Sequence, residues 1–189
     1  MGISAPANGH KSSPVQVPGT TWRHVTGGAH AMLATKTDGT LWAWGANQGG
    51  QLGINEVEGN RNSSPVQVPG TTWYAPFLMG SAGAATKTDG TLWSWGYNMP
   101  GHLGQNNRTD YSSPVQVGTD TTWNKDKVRF GGGILGGLKT DGTLWLIGRN
   151  DYGPLGQNDR ASYSSPVQIP GTNWISVVSG SYSVGGLKS

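Results

Sequence analysis

Short runs in which apolar and polar residues alternate recur along this chain, and most are closed by glycine, proline or an Asp-Gly pair. In "AMLATKTDGTLWAW" two such runs flank Asp38-Gly39. Asp-Gly readily supplies the positive backbone angles of a tight hairpin turn, so the pattern predicts two strands joined there. "PVQV" alternates behind a proline, which cannot donate to a ladder, and predicts an outer or edge strand. Next come "PGT" turns and a tryptophan (Trp22, Trp73, Trp123, Trp174) leading a stretch such as "WISVVSG", rich in β-branched residues.

These words repeat. "SSPVQ" begins at Ser12, Ser63, Ser112 and Ser164, with spacings of 51, 49 and 52, and "TDGTLW" begins at Thr37, Thr88 and Thr140. Four short strands in a unit of about 50 residues is the size of one propeller blade. The fold class expected is therefore all-β, with blades of four short antiparallel strands forming an open arc or part of an oligomeric ring. The organisation expected is a lead segment, 1–11, followed by repeats 12–62, 63–111, 112–163 and an incomplete 164–189.

Composition sharpens this picture. Thirty-two glycines, nine tryptophans and only 12% charged residues disfavour long surface helices. Tryptophan buries a large area, so nine of them offset a modest hydrophobic fraction of 34%. All nine fall in repeat register, and the place of Trp44 and Trp95 is taken by Ile147, an exchange that keeps bulk and loses stacking. Packing between blades is the expected role. Asn47, Gly50 and Gly53 recur as Asn98, Gly101, Gly104 and as Asn150, Gly153, Gly156, which predicts a shaped turn.

At this point "LWAWGANQGGQLG", Leu41 to Gly53, resembles the W-G-x-N-x-x-G-Q-L-G signature of the regulator of chromosome condensation repeat family. His102 and Pro154 depart from it at the glutamine, and Leu146-Ile147 replace the usual tryptophan-bearing pair. The resemblance implies a β-propeller, typically seven-bladed. It also implies protein recognition by loops on a rigid disc: the eukaryotic namesake promotes nucleotide exchange on a small GTPase and binds chromatin, and bacterial relatives include a secreted inhibitor of β-lactamases. Seven such blades would need roughly 360 residues. The chain is therefore expected to be a piece of a longer reading frame or a subunit that self-associates to complete a ring. Near-identical repeats suggest recent duplication in a bacterium or its phage.

Catalytic chemistry finds little purchase. Asp38, Asp89 and Asp141 belong to the hairpin turns, and the other acids are scattered through variable segments. His10, His24, His30 and His102 lack metal-ligand spacing, and "FGGGILGG" lacks the Gly-Lys-Ser/Thr ending of a phosphate loop. Zero cysteines exclude disulfides and thiolate metal sites. A formal charge of +3 compels no nucleic-acid partner. No stretch approaches the roughly 18 apolar residues of a membrane span, and "MGISAPANGHK" lacks the apolar core of a signal peptide. No enzyme activity, cofactor or metal is expected. The expected setting is an extracellular or phage-particle surface, with the cytoplasm as the alternative.

Where shared words build a scaffold, positions that differ between copies are the natural seat of binding. Tyrosine and arginine are enriched at binding hot spots, which singles out Arg23, Tyr74, Tyr97, Arg149, Tyr152 and Tyr182. His30 stands at a variable turn position, opposite Ser81, Gly133 and Tyr182 in the other copies. In "NKDKVRF", Lys125, Lys127 and Arg129 alternate and would share one face of a strand. The partner expected is a protein or a cell-surface glycan. The alternatives are a GTPase met by an exchange factor, and a polysaccharide acted on by carboxylates in the channel. A clustered pair of unpaired carboxylates would favour the enzyme; tyrosines and arginines grouped on one rim would favour binding.

Overall fold

The computed structural model describes residues 13–56, 61–180 and 182–189; the lead segment and His10 lie outside the described residues. Among the described residues there are fourteen strands and no helix. β1 (Trp22–Gly27), β2 (Ala31–Lys36), β3 (Leu41–Ala46) and β4 (Arg61–Val68) form the first antiparallel sheet in that order. β5 (Trp73–Met79), β6 (Ala82–Lys87), β7 (Leu92–Gly96) and β8 (Tyr111–Gln116) form the second. β9 (Trp123–Gly131), β10 (Ile134–Lys139), β11 (Leu144–Gly148) and β12 (Tyr163–Ile169) form the third. β13 (Trp174–Ser179) and β14 (Val184–Lys188) pair alone.

The "PVQ" strands β4, β8 and β12 do lie at the edge of their sheets, as the proline requires, but each pairs with the "TLW" strand of the preceding repeat. Sheet and sequence repeat are therefore out of phase by one strand, and each sheet is closed by the next unit. The first "PVQV", from Pro14 to Val17, is not a strand. The described chain holds no "TLW" strand before it to supply a ladder.

Each Asp-Gly hairpin follows one plan. Gly39 takes φ +80° while Asp38 stays out of the left-handed region, and Gly39 N donates to Lys36 O, so the turn is a three-residue loop rather than a two-residue one. The aspartate is needed for its carboxylate. Asp38 Oδ1 accepts from Thr40 N and from Thr40 Oγ1, whose oxygen in turn accepts from Trp42 Nε1 at 2.8 Å. The same relay joins Asp89, Thr91 and Trp93, and Asp141, Thr143 and Trp145. Lys36, Lys87 and Lys139 then lie 3.9 to 4.1 Å from the ring centres of Trp42, Trp93 and Trp145.

The core runs between sheets, not within them. Trp73 and Trp95 of the second sheet pack with Leu33, Leu41 and Leu52 of the first. Trp123 and Ile147 of the third pack with Ala84 and Leu92 of the second, and Val177 of β13 joins Ile134, Leu138 and Leu144. Trp95 and Ile147, both fully buried, occupy equivalent places, which is why an apolar exchange is tolerated there. The shaped turn predicted from the asparagines is present: Asn47, Asn98 and Asn150 are fully buried, and their side-chain oxygens accept from the backbone N–H of Leu52, Leu103 and Leu155.

Candidate recognition surface

Antiparallel pairing gives the arc two ends. The Asp-Gly turns and the starts of β1, β5, β9 and β13 lie at one, here the hairpin end. The β5–β6 and β9–β10 turns and the long connections after β3, β7 and β11 lie at the other, the loop end. Tyr74 is the second residue of β5 and Met79 the last, so the two are about 17 Å apart at roughly 3.3 Å per residue.

The sequence-predicted residues divide between these ends. At the hairpin end Arg23, Tyr74 and Lys125 come together: Arg23 Cζ lies 4.1 Å and Lys125 Nζ 4.4 Å from the Tyr74 ring centre. His24, which the repeat comparison did not select, stacks at 5.2 Å on the same ring, and its Nδ1 lies 2.8 Å from the Tyr74 carbonyl oxygen. The Tyr74 hydroxyl donates to Asp126. This cluster is stitched from three successive sheets and satisfies itself.

Lys125, Lys127 and Arg129 do not share a face. Lys125 reaches back to Tyr74, whereas Lys127 Nζ reaches forward to donate to the Ile175 carbonyl at 2.6 Å. The cause is a bulge: Val128 pairs with Gly137 and Trp123 with Lys139, so four residues of β9 face one of β10 and the alternation is broken. Register also shifts near the start of β1, β5 and β13, and no word in the sequence marks it.

At the loop end Tyr97, Arg149, Tyr152 and Tyr182 gather around the junction of the last three sheets. Tyr152 and Tyr182 meet edge to face at 5.4 Å, and Arg149 Cζ lies 5.5 Å from the Tyr182 ring centre. Arg149 Nε pairs with Asp151, which holds the guanidinium above its usual pKa. A cleft of about 360 Å³ opens here, lined by Met79, Ser81, Tyr97, Pro100, His102, Gly133, Arg149 and Tyr182. Around it Tyr152 is 72% exposed, Met99 62% and Tyr182 58%. His30 lies apart, in a recess of about 460 Å³ with Gln48, Arg61 and Asn62.

His102 and Pro100 are the residues that the binding argument missed. In the first repeat Gln51 Oε1 accepts from Gly49 N at 2.8 Å. The second repeat has Pro100 and His102 at these two places, and proline has no N–H to give. His102 instead directs Nε2 to the Tyr97 carbonyl at 2.6 Å, which makes Nε2 the donor and leaves Nδ1 as an acceptor. Nδ1 is buried without a partner among the described residues, and burial lowers the imidazole pKa to about 4, against the smaller opposing effects of the Tyr97 hydrogen bond and Asp110. The departure of His102 from the motif was the available signal.

Carboxylates are engaged elsewhere. Asp110 accepts from Asn98 N, Asp120 pairs with Lys139, and Asp159 accepts from Asn150 and Tyr163. Among the described residues no three His, Cys, Asp or Glu side chains are grouped to hold a metal ion.

Sheets of four antiparallel strands, packed face to face through tryptophans and joined by glycine-shaped loops, define a β-propeller repeat protein. The chain belongs to the regulator of chromosome condensation (RCC1) repeat family, whose repeat matches residues 38–84, 89–131 and 141–187. It is 29% identical over 153 residues to the ultraviolet-B receptor UVR8 of Arabidopsis thaliana, covering 79% of this chain and 35% of the receptor. It is 32% identical over 149 residues to human protein RCC2, covering 74% of this chain and 27% of that protein. Among solved structures, Prp20p of Saccharomyces cerevisiae superposes with a TM-score of 0.75 at 18% identity, over 89% of this chain and 44% of that one. The chain thus spans about a third or less of these curated relatives. Prp20p was described with its binding properties to Gsp1p and histones, and yeast RCC1 (Prp20) has been solved bound to Kap60.

Proposed function

We propose that this chain is a non-enzymatic recognition scaffold that binds a protein partner through the loop end of its second to fourth sheets. The observation that carries this reading is the concentration of Tyr97, Met99, Tyr152 and Tyr182 around one cleft beside Arg149. Large exposed apolar groups gathered in one place mark interaction sites, and tyrosine and arginine are the side chains that anchor them. The hairpin-end cluster of Arg23, Tyr74 and Lys125 supports a lesser role, because its cations and ring already engage one another. His30 supports a separate minor contact. Engagement of the aspartates in turns, ion pairs and buried hydrogen bonds weighs against a carboxylate enzyme.

Exposed Val178 and Leu187, which share a face of the β13–β14 sheet, support self-association through that face. The near-identity of the repeats supports a bacterial or phage setting, with action at an extracellular or particle surface, although the relatives compared above come from plant, human and yeast.

The test is to pan a random peptide library against the immobilised chain, with the variant carrying Tyr97→Ala, Tyr152→Ala and Tyr182→Ala as counter-target. Retained peptides that fail to bind the triple variant are expected. An empty pool, or peptides that bind both proteins equally, would overturn the reading.

A further inference from the structure

We propose that the cleft beside Arg149 is an anchor site for a protein segment in which a carboxylate adjoins a large apolar side chain; this rests on the loop end being the recognition surface. At about 360 Å³ the cleft is at the small end of ligand sites, a size suited to one anchoring side chain. Met79, Tyr97, Pro100 and Tyr182 give it apolar walls.

Charge selects the neighbour of that side chain. Arg149 lines the cleft, and among the described residues no carboxylate does. Asp151 engages Nε of the guanidinium, and among the described residues nothing bonds its terminal nitrogens, which can fork onto an incoming carboxylate. A basic segment would meet Arg149 unfavourably.

The loop residues that shape the cleft also differ from those of the first repeat. The exchange of a Gly49 and Gln51 pair for Pro100 and His102 removes the hydrogen bond that closes the first repeat's loop, puts a proline ring on the wall, and leaves His102 Nδ1 buried without a partner among the described residues.

The experiment uses the peptide pool retained above. Sequences pairing Asp or Glu with an adjacent aromatic or large aliphatic residue are expected. A synthetic peptide of that kind should bind Arg149→Gln about tenfold or more weakly than the wild type, the scale of a hydrogen bond to a charged group. Arg149→Lys should recover part of the loss, and added salt should weaken binding. Replacing the peptide's acid by its amide should cost as much as Arg149→Gln. Peptides lost on the Tyr97, Tyr152 and Tyr182 variant but free of acids and indifferent to Arg149→Gln would overturn this inference and leave the recognition surface standing. Peptides indifferent to both variants would overturn both.

Discussion

Trp95 Nε1 donates a 2.8 Å hydrogen bond to the carbonyl oxygen of Gln51, so a tryptophan of the second sheet holds the loop of the first. Both residues are buried, and Gly53 lies against the same indole, where a Cβ would sit 2.8 Å from Nε1. Loop and ring are therefore fitted to each other across the sheet boundary. Trp95→Phe keeps most of the apolar area and leaves the Gln51 carbonyl without this donor, which should cost about 2 kcal/mol. Trp95→Ala should cost about 4 kcal/mol by opening a cavity. Gly53 has φ +68°, so Gly53→Ala adds backbone strain to the clash and should cost about 2 kcal/mol. Urea unfolding of the three variants checks the order.

His102 makes stability depend on pH in a definite window. Its imidazole is held neutral down to a pKa of about 4, against 6.5 when unfolded. Between those values the unfolded chain binds a proton that the folded chain refuses, so stability is lost as pH falls from 6.5 towards 4. The loss is on the order of 3 kcal/mol. His102→Gln, the residue that the first repeat has at Gln51, should flatten the thermal midpoint across this window. A midpoint that falls equally in both proteins would contradict the assignment.

The turn aspartates act lower on the pH scale. Hydrogen bonds from Thr40, Thr91 and Thr143 lower the pKa of Asp38, Asp89 and Asp141. Asp120 is brought down to about 2, where burial opposes the shift and the Lys139 and Thr122 hydrogen bonds outweigh it. A depressed carboxylate stabilises the fold above its unfolded pKa and loses that contribution as pH falls through the folded one. Stability should therefore drop again below about pH 3.8. Asp120→Asn should be less stable at neutral pH and show a shallower decline in acid, followed by circular dichroism.

The apolar face of the β13–β14 sheet supplies a prediction about assembly. Val178 is 60% and Leu187 61% exposed, while Val177 on the other side is buried against the third sheet. Light scattering of the purified chain should show a mass that grows with concentration, and Val178→Lys with Leu187→Lys should reduce it to the monomer. A wild-type mass fixed at the monomer across concentrations would contradict self-association through this face.

Much of this architecture was legible in the residues. The "TDGTLW" word specified the hairpin because its parts are local: a turn, a threonine and an indole within five positions of one another. The buried asparagine turn was legible for the same reason. What depended on pairing across repeats was not. The "PVQ" strand joins the preceding sheet, a choice made by ladder partners distant in sequence. The β9 bulge sent Lys125 and Lys127 to different neighbours, and alternation alone gave no sign of it. For the eight variable residues, sequence register could not show that Arg23, Tyr74 and Lys125 sit at one end, Tyr97, Arg149, Tyr152 and Tyr182 at the other, and His30 in a recess of its own. That division follows from strand direction.

The division also provides the most direct measurement. A peptide retained by panning is titrated against two sets of single variants, Tyr97→Ala, Tyr152→Ala and Tyr182→Ala at the loop end, and Arg23→Ala, Tyr74→Ala and Lys125→Ala at the hairpin end. Recognition through the loop end predicts that at least one variant of the first set weakens binding by about 2 kcal/mol, the scale of a hot spot, while the second set binds as the wild type does. Loss confined to Arg23→Ala, Tyr74→Ala and Lys125→Ala, with the loop-end variants unchanged, would contradict it and move the recognition surface to the opposite end of the arc.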